Sequence, residues 1–368
     1  MDRRRFLAST ALAGAAGTLA ACGGGTEPTA AGADSAAPAR RIQWKMVTSW
    51  PLNFPGLGTG AARLAELIGQ LSGGRLTVKV YGAGELVPAF EVFDAVVQGT
   101  AEIGHSGAYY WKGKSEAAQF FSAVPFGMNA QEMNGWLYHG GGLELWREVY
   151  APFGLIPFPG GNTGPQMAGW FRKPITSIAD LKGLKMRMPG LGGEVLQRLG
   201  GSPVNIPGAD LYTAMQTGAI DATEWVGPHN DLAFGLHKVA QYCYYPGWHE
   251  PGTMLECMVN KAAFEALPED LKSIVAAACR SVNEDMLADY TAQNYRAMEV
   301  LEKEHAVQFL PLPDDVLAAL REASAAVLAE LAARDPLSAK VYESFSAFRK
   351  GAMRWHEVSE VAFYRARG

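Results

Sequence analysis

Hydrophobic and polar residues alternate in two short stretches, 42–48 and 76–81, and this period of two predicts β-strands. Between them, over 60–71, leucine and isoleucine recur at helical spacing, which predicts an amphipathic helix. A second helix is predicted over 89–98, and a short strand follows around Ile103. The β-α-β-α-β order predicts an open α/β sheet with helices on its faces.

A second α/β unit follows later in the chain. A strand entry at 181–187 is followed by helical patterns at 192–199 and 210–216. The helix–glycine–strand segment at 211–222 resembles the one at 90–104. Two such units predict two lobes, each with its own sheet, and a cleft between them. Ligands of open α/β sheets bind beyond the carboxyl ends of the strands, so the cleft is the expected site.

The last third of the chain is strongly helical in pattern, over 261–305, 314–333 and 337–364. Large apolar side chains, including Met353 and Trp355, lie in the last helix, beyond two complete lobes. Such a helix needs an apolar partner, which is either its own lobe or a second copy of the chain.

Residues 1–21 have the pattern of an export signal, with arginines before an apolar stretch too short to cross a bilayer. Consecutive arginines followed by Phe6 resemble a twin-arginine signal. The segment 19–23 resembles a lipobox, which predicts cleavage before Cys22 and a lipid anchor in the periplasm; a plain signal cleaved nearby is the alternative. Residues 22–40 are rich in small residues and predict a flexible tether.

Composition narrows the function classes. The chain has 368 residues, 48% of them hydrophobic, which is ample for two lobes with real cores. Its net charge is −5 and it has no run of five basic residues, so we expect no nucleic-acid partner. Cys243, Cys257 and Cys279 have no C-x-x-C spacing; they do not predict zinc, and the sequence does not choose a disulfide pair.

Catalytic signatures are missing from the sequence. It has no H-E-x-x-H, no phosphate-binding P-loop and no G-x-S-x-G. His105 and Ser106 are neighbours on a predicted strand and point to opposite faces, so they do not form a base–nucleophile pair. The chain is therefore expected to bind a ligand rather than to be an enzyme. Four segments after predicted strands concentrate polar and aromatic groups: 106–113, 160–167, 185–190 and 221–228.

The order and spacing of several short motifs resemble the substrate-binding proteins of tripartite ATP-independent periplasmic (TRAP) transporters, the DctP-type family. These motifs are Ser72-Gly73-Gly74-Arg75-Leu76, Gln98-Gly99, the segment 178–187 and Gly218-Ala219-Ile220-Asp221. The resemblance covers nearly all of the predicted mature chain. It implies an α/β, two-lobed periplasmic-binding-protein fold, with two open sheets, a hinged cleft and long C-terminal helices. It also implies that the chain delivers its ligand to membrane subunits.

A narrower resemblance is to the branch that binds 2-oxo monocarboxylates such as pyruvate, or to the related lactate binders. It depends on the segments 161–171, 223–228 and 247–252. The resemblance implies that Arg187 clamps the ligand carboxylate and that Asn162 and Tyr109 are polar contacts. The positions that it implies for a cation held against the ligand are Gln166, Glu224, the Trp225 carbonyl and Glu250, with Gln166 and Trp225 also touching the ligand.

The chemistry of these residues agrees with the resemblance. A planar guanidinium makes two parallel hydrogen bonds to a carboxylate. Amide, carbonyl and carboxylate oxygens suit a hard cation, Na⁺ or Ca²⁺. The competing interpretations are a surface role for Arg187, a rim carboxylate at Glu224, a turn cap at Glu250 and no special role for Gln166. At the level of function, the alternatives are a 2-hydroxy acid receptor, a sensory lipoprotein, or an exported metal-dependent hydrolase or lyase that uses Glu224 and Glu250 as acid and base.

The resemblance also implies a domain division. The first lobe is expected at 41–161 plus about 251–285, and the second at 162–250 plus about 306–335. The helix at 337–364 is the expected dimer-exchange element, because the 2-oxo acid branch forms dimers through a C-terminal helix. A homodimer is therefore expected, with packing of the helix on its own lobe as the alternative.

Overall fold

The computed structural model describes residues 41–368. The predicted export signal, Cys22 and the tether lie outside the described residues. The strands of the described part are β1 (Ile42–Thr48), β2 (Leu76–Tyr81), β3 (Ile103–Ser106), β4 (Leu155–Asn162), β5 (Gly169–Phe171), β6 (Lys185–Arg187), β7 (Ser202–Val204), β8 (Ala222–Thr223), β9 (Tyr242–Tyr245), β10 (Met254–Asn260) and β11 (Gln308–Pro311).

The α-helices of the same residues surround the strands. They are α1 (Leu57–Leu71), α2 (Val92–Val97), α3 (Ala130–His139), α4 (Gly142–Tyr150), α5 (Gly190–Arg198), α6 (Leu211–Thr217), α7 (Pro228–Phe234), α8 (Lys261–Glu265), α9 (Glu269–His305), α10 (Asp314–Arg334), α11 (Pro336–Val358) and α12 (Glu360–Arg367). No helix among residues 41–368 is both long enough and apolar enough to cross a membrane.

The first sheet has the strand order β2-β1-β3-β10-β4, and we call the part built on it the first lobe. Strand β1 runs parallel to both of its neighbours, whereas β10 is antiparallel to β3 and β4. Because β10 lies between two strands and under helices, nearly every residue of it is buried, including the polar Glu256. The first lobe is thus completed by β10, which follows the strand β9 of the other sheet in the sequence.

The second sheet has the strand order β11-β9-β5-β8-β6-β7, and we call the part built on it the second lobe. It is mixed: β8, β6 and β7 run parallel, and β5 pairs antiparallel with both β8 and β9. Helix α6 ends at Thr217, and the next residue, Gly218, has a φ of 76°, the left-handed conformation that glycine permits at a helix end. The two predicted α/β units thus have separate sheets, and the predicted fold class is confirmed.

Helix α9 is 37 residues long and packs on both lobes. Its first half covers β4 and α1 of the first lobe with residues such as Val275 and Val282. Its second half packs against α7, where Tyr290 and Leu301 belong to an apolar cluster with Trp170 of the second lobe. The helix therefore ties the two lobes together behind the cleft.

Helices α10 and α11 pack on different lobes. Helix α10 lies on α5 of the second lobe, and α11 lies on α3 and α4 of the first. Between them, Asp335 caps α11 by accepting hydrogen bonds from the backbone N–H groups of Leu337 and Ser338, both at 2.9 Å. Phe345 of α11 is 1% exposed and meets Trp136 edge to face at 5.3 Å, so in one chain this helix packs on its own first lobe.

Candidate functional site

The polar residues of the cleft all follow the ends of strands. Tyr109 and Tyr110 lie on a 3₁₀-helix after β3, Asn162 ends β4 and Gln166 follows it, Arg187 ends β6, Glu224 and Trp225 follow β8, and His249 and Glu250 lie between β9 and β10. Strands from both sheets contribute, so the site lies between the lobes, as the strand-end rule predicts. All of the segments that the sequence singled out lie at this junction.

Arg187 is 1% exposed, although a lone buried arginine is costly in free energy. Its Nη1 donates to a carboxylate oxygen of Glu224 and, at 3.3 Å, to the Glu224 carbonyl. Nε donates to the Ile206 carbonyl at 3.3 Å, and Nη2 donates to the Tyr110 hydroxyl at 3.1 Å. The guanidinium also lies 4.9 Å from the centre of the Trp225 ring. Burial works to lower the pKa of Arg187, but Glu224, Tyr110, Tyr109 and Glu250 together outweigh it and raise the pKa above its usual value.

Arg187 and Glu224 therefore form a buried ion pair, which the sequence analysis did not anticipate, since it assigned the first to the ligand and the second to a cation. A guanidinium has five N–H donors, and four contacts are accounted for within residues 41–368. One donor on Nη2 is left for a ligand. The interpretation of Arg187 as a surface residue is wrong.

Two carboxylates lie together in this cluster. One ligand atom each from Glu224, His249 and Glu250 lie within 4.8 Å of one another, and all three residues are buried. His249 Nε2 lies 3.4 Å from Glu224 Oε2. Burial, and then the charge of Glu224, raise the pKa of Glu250 to about 7. At 0% and 3% exposure, neither Glu224 nor Glu250 is a rim residue or a surface cap.

Gln166 has its amide fixed by its neighbours. Its Nε2 donates to Glu250 Oε2 and to Thr253 Oγ1, both at 2.9 Å, and lies 3.3 Å from Thr163 Oγ1. These bonds leave Oε1 as the free end of the amide, and this buried oxygen has no hydrogen-bond partner among residues 41–368. A buried polar atom without a partner is costly, so it points to a missing ligand.

Two further buried donors of the site have no partner within the described residues: Asn162 Nδ2 and Trp225 Nε1. Asn162 Oδ1 accepts from the Gly164 backbone at 2.8 Å, which fixes the orientation of the amide. The ring of Tyr109 packs edge to face on Tyr110 at 4.6 Å, and burial raises its pKa well above the usual range, so the hydroxyl stays neutral. Neutral donors of this kind suit an anionic ligand.

The donor set fits a hard cation. A free amide oxygen at Gln166 and the carboxylates of Glu224 and Glu250 are the oxygen ligands that Na⁺ and Ca²⁺ take. A soft thiolate is absent from this cluster of described residues, since Cys243, Cys257 and Cys279 belong to the hydrophobic cores of the two lobes. The residues present thus match the type of ion that the sequence predicts.

Some residues of the site were missed from sequence. His249, Thr253 and Tyr110 contact Glu224, Glu250 and Arg187 respectively. His249 and Tyr110 lie within segments that drew notice, next to residues that were chosen, but a neighbour in sequence gives no sign of which side chain turns inward. Trp50, from the loop after β1, also lines the cleft, and no motif marks it.

Comparisons with known proteins agree with this picture. The family model "Bacterial extracellular solute-binding protein, family 7" (DctP) matches residues 47–335. A monocarboxylate 2-oxoacid-binding periplasmic protein of Nostoc sp. is 42% identical over 363 residues, which are 99% of this chain and 98% of that protein.

Solved structures are similar over most of the chain. A TRAP periplasmic solute-binding protein from Pseudoalteromonas atlantica, with bound sodium and pyruvate, is 43% identical with a TM-score of 0.86, and covers 89% of this chain and 99% of its own. One from Colwellia psychrerythraea, with bound calcium and pyruvate, is also 43% identical, with a TM-score of 0.87 and coverage of 89% and 100%. The chain therefore belongs to the bacterial extracellular solute-binding protein family 7, the DctP family of TRAP periplasmic solute-binding proteins.

Proposed function

We propose that this protein is the receptor of a TRAP transporter for a small 2-oxo monocarboxylate such as pyruvate, and that it passes this ligand to the membrane subunits. The observation that carries the proposal is the buried cluster of Arg187, Glu224, Glu250 and Gln166 between the lobes, with the Gln166 oxygen left without a partner. Relatives that contain pyruvate together with sodium or calcium support it.

The charges of the cluster support a cation that is bound together with the ligand. Glu224, Glu250 and an incoming carboxylate bring up to three negative charges, against the single positive charge of Arg187. Gln166, Glu224, Glu250 and the Trp225 carbonyl would hold the cation, which supplies positive charge and an attachment point for the 2-oxo oxygen. A divalent ion balances the four charges, and a monovalent one leaves a single excess negative charge.

The ligand itself would meet donors from both lobes. Arg187 offers its remaining N–H to the carboxylate, while Asn162 Nδ2 and the Tyr109 hydroxyl offer neutral donors from the first lobe. Trp225 offers Nε1, and its ring covers Arg187. Contacts from both lobes stabilise the closed arrangement, which is how a receptor of this fold reports that it is loaded.

Isothermal titration with pyruvate, lactate and longer 2-oxo acids tests the proposal. We expect micromolar or tighter binding of pyruvate in buffer with Ca²⁺ or Na⁺, and weaker binding of lactate, because relatives 43% identical to this chain contain pyruvate together with sodium or calcium. Lactate binding more tightly than pyruvate would favour the 2-hydroxy acid alternative. Absence of binding by every small acid would refute the proposal and favour a sensory lipoprotein.

We also propose that the protein does not transform its ligand. The Glu224 carboxylate is held by Arg187 and His249, and the Glu250 carboxylate by Gln166 and Thr253, an arrangement that suits binding better than proton transfer. Incubation with pyruvate followed by proton NMR should return the ligand unchanged. Turnover that disappears in Glu224→Gln would establish the hydrolase or lyase alternative instead.

A second copy of the chain is the proposed partner of the last two helices. The apolar side chains of α11 and α12 that remain 54% to 71% exposed are Met353, Trp355, Val358, Phe363 and Tyr364. Exposed apolar surface of this kind on one end of a molecule is typical of an interface. The homodimer that was expected from the sequence thus stays a proposal. Within one chain, α11 packs on the first lobe of its own chain.

The lobe boundaries and the N-terminal segment complete the proposal. The two sheets support lobes close to the expected 41–161 plus about 251–285 and 162–250 plus about 306–335, although Asn162 is still paired in the first sheet. Family members are periplasmic solute-binding proteins. We propose that residues 1–21 are removed and that Cys22 carries a lipid anchor, which mass spectrometry of the protein from membranes would detect.

A further inference from the structure

A narrow cavity with about 10 Å³ of free volume lies between the lobes beside the charged cluster. Part of its wall is polar and includes Gln166 and Tyr109, and the rest is apolar, formed by Trp50, Leu57 and Leu255. The polar wall is where the carboxylate and the 2-oxo group of a ligand would bind. The carbon chain of the ligand would then pack against the apolar wall.

We propose that Trp50 closes the apolar end of this cavity and sets the longest carbon chain that a 2-oxo acid ligand can carry. The inference rests on the proposed function and deepens it from a substrate class to a size limit. The limit on chain length would come from the Trp50 indole, which the loop after β1 holds in a fixed orientation.

Trp50 is held from behind by a chain of hydrogen bonds. Its Nε1 donates to His105 Nδ1 at 2.8 Å, and His105 Nε2 donates to the Gly160 carbonyl at 3.0 Å. His105 is fully buried, and burial lowers its pKa to about 4, so the ring stays neutral with Nδ1 as acceptor. His105, which does not form a base–nucleophile pair with Ser106, thus has a structural role: it fixes the orientation of the Trp50 indole.

The backbone of Trp50 is fixed as well. Its carbonyl accepts from Thr48 Oγ1 and from the Ala83 backbone N–H, both at 2.8 Å. The side chain is 1% exposed. With both the backbone and the ring held, the wall does not yield readily to a longer ligand, because close-packed protein interiors resist added volume.

The loop that carries Trp50 also touches the second lobe. Phe54 stacks on Phe234 at 4.2 Å and meets Trp225 edge to face at 6.5 Å. Asn230 Nδ2 donates to the Pro55 carbonyl at 2.7 Å. These contacts set the distance between Trp50 and the second-lobe wall, so the length of the cavity is defined when the lobes are together.

The volume supports a short ligand. Pockets for drug-sized molecules measure roughly 300–1,000 Å³, whereas the free volume of this cavity is only about 10 Å³. A three-carbon acid needs little of the apolar wall, whereas a branched six-carbon acid must displace it. We therefore expect wild-type protein to bind pyruvate more tightly than 4-methyl-2-oxopentanoate.

Trp50→Ala tests the wall by changing selectivity. We expect the ratio of the two dissociation constants, measured by isothermal titration in buffer with Ca²⁺, to shift at least tenfold in favour of the branched acid. His105→Phe, which removes the acceptor of the indole N–H, should shift the ratio about threefold in the same direction. Trp44→Ala is the matched control, because Trp44 is also a buried tryptophan of the first lobe, and its side chain packs in the core formed with α1 and α9.

The possible outcomes distinguish a failure of the Trp50 proposal from a failure of the proposed function. Wild-type protein that binds neither acid refutes the proposed function. If wild-type protein binds pyruvate but Trp50→Ala leaves the ratio of the two dissociation constants unchanged, the proposed role of Trp50 is wrong and the proposed function stands. A shift of equal size in Trp44→Ala would likewise refute the role of Trp50 alone. If Trp50→Ala fails to fold, Trp50→Phe replaces it with an expected shift of about threefold, and an unchanged ratio there overturns the proposal equally.

Discussion

Replacing Arg187 by lysine keeps one positive charge in the cleft and removes the planar fork. Arg187 makes four hydrogen bonds to three residues that lie in different directions, to Ile206, Glu224 and Tyr110. A lysine ammonium has its donors on one nitrogen and cannot reach all of them. At least one charge-assisted bond is lost, together with the donor that remains for the ligand.

The loss can be put in numbers. A hydrogen bond to a charged group contributes about 1.5–3 kcal/mol, and the low end of this range already corresponds to about a tenfold change in affinity. We therefore expect Arg187→Lys to weaken pyruvate binding at least tenfold. The remaining ammonium still balances the Glu224 charge, so the variant should fold.

Isothermal titration with pyruvate at saturating Ca²⁺ measures this change, and circular dichroism checks the fold. Arg198→Lys is the control, because Arg198 is an exposed arginine paired with Glu330 at 2.7 Å and should leave pyruvate affinity unchanged. Equal pyruvate affinity in wild-type protein and a folded Arg187→Lys variant would refute the assignment of the carboxylate to Arg187.

Two further predictions concern stability and assembly. Burial raises the pKa of Glu256 from 4.5 to about 7, so its contribution to stability is present below pH 4.5 and is lost as the pH rises to about 7. Glu256→Gln should flatten the fall in unfolding free energy between about pH 5 and 6.5 by up to ~1.4 kcal/mol per pH unit, measured by urea unfolding; parallel curves would contradict this. Light scattering should give a dimer mass for the wild-type chain and a monomer mass for Trp355→Glu combined with Phe363→Glu, whereas Leu71→Glu, an exposed apolar position on α1, should stay dimeric; a wild-type monomer would end the dimer proposal.

Much of the fold follows from local pattern. The predicted strand over 76–81 has the same bounds as β2, and the predicted helix over 314–333 differs from α10 by one residue. These elements are long or strongly periodic, so the pattern of the side chains defines them. By contrast, β5 and β8 have only three and two residues, and they exist because neighbouring strands pair with them.

The residues of the site were predicted better than their contacts were. Arg187, Glu224 and Glu250 were selected because their neighbours resemble a known family, and all three are buried in one cluster. The pairing of Arg187 with Glu224 depends on β6 and β8 being adjacent in the second sheet, and no local pattern shows this.

Trp50 shows why some residues of a pocket escape sequence analysis. It precedes a proline in a loop, and its partner His105 lies 55 residues away. Only the pairing of β1 with β3 brings the loop after Thr48 close to His105. Residues placed by contacts between distant elements carry no periodic signal along the chain.

The dependence of pyruvate binding on a cation tests the central claim most directly. Gln166, Glu224 and Glu250 form a site for one cation in our account, and ligand and cation raise each other's affinity by the same factor. The measurement is pyruvate affinity by isothermal titration, before and after exhaustive chelation in Na⁺-free buffer, with Ca²⁺ added back at the end. We expect binding to weaken at least tenfold on removal of the ions and to recover with Ca²⁺; an affinity that stays the same throughout would contradict a cation-bridged 2-oxo acid site and leave Arg187 to hold the ligand alone.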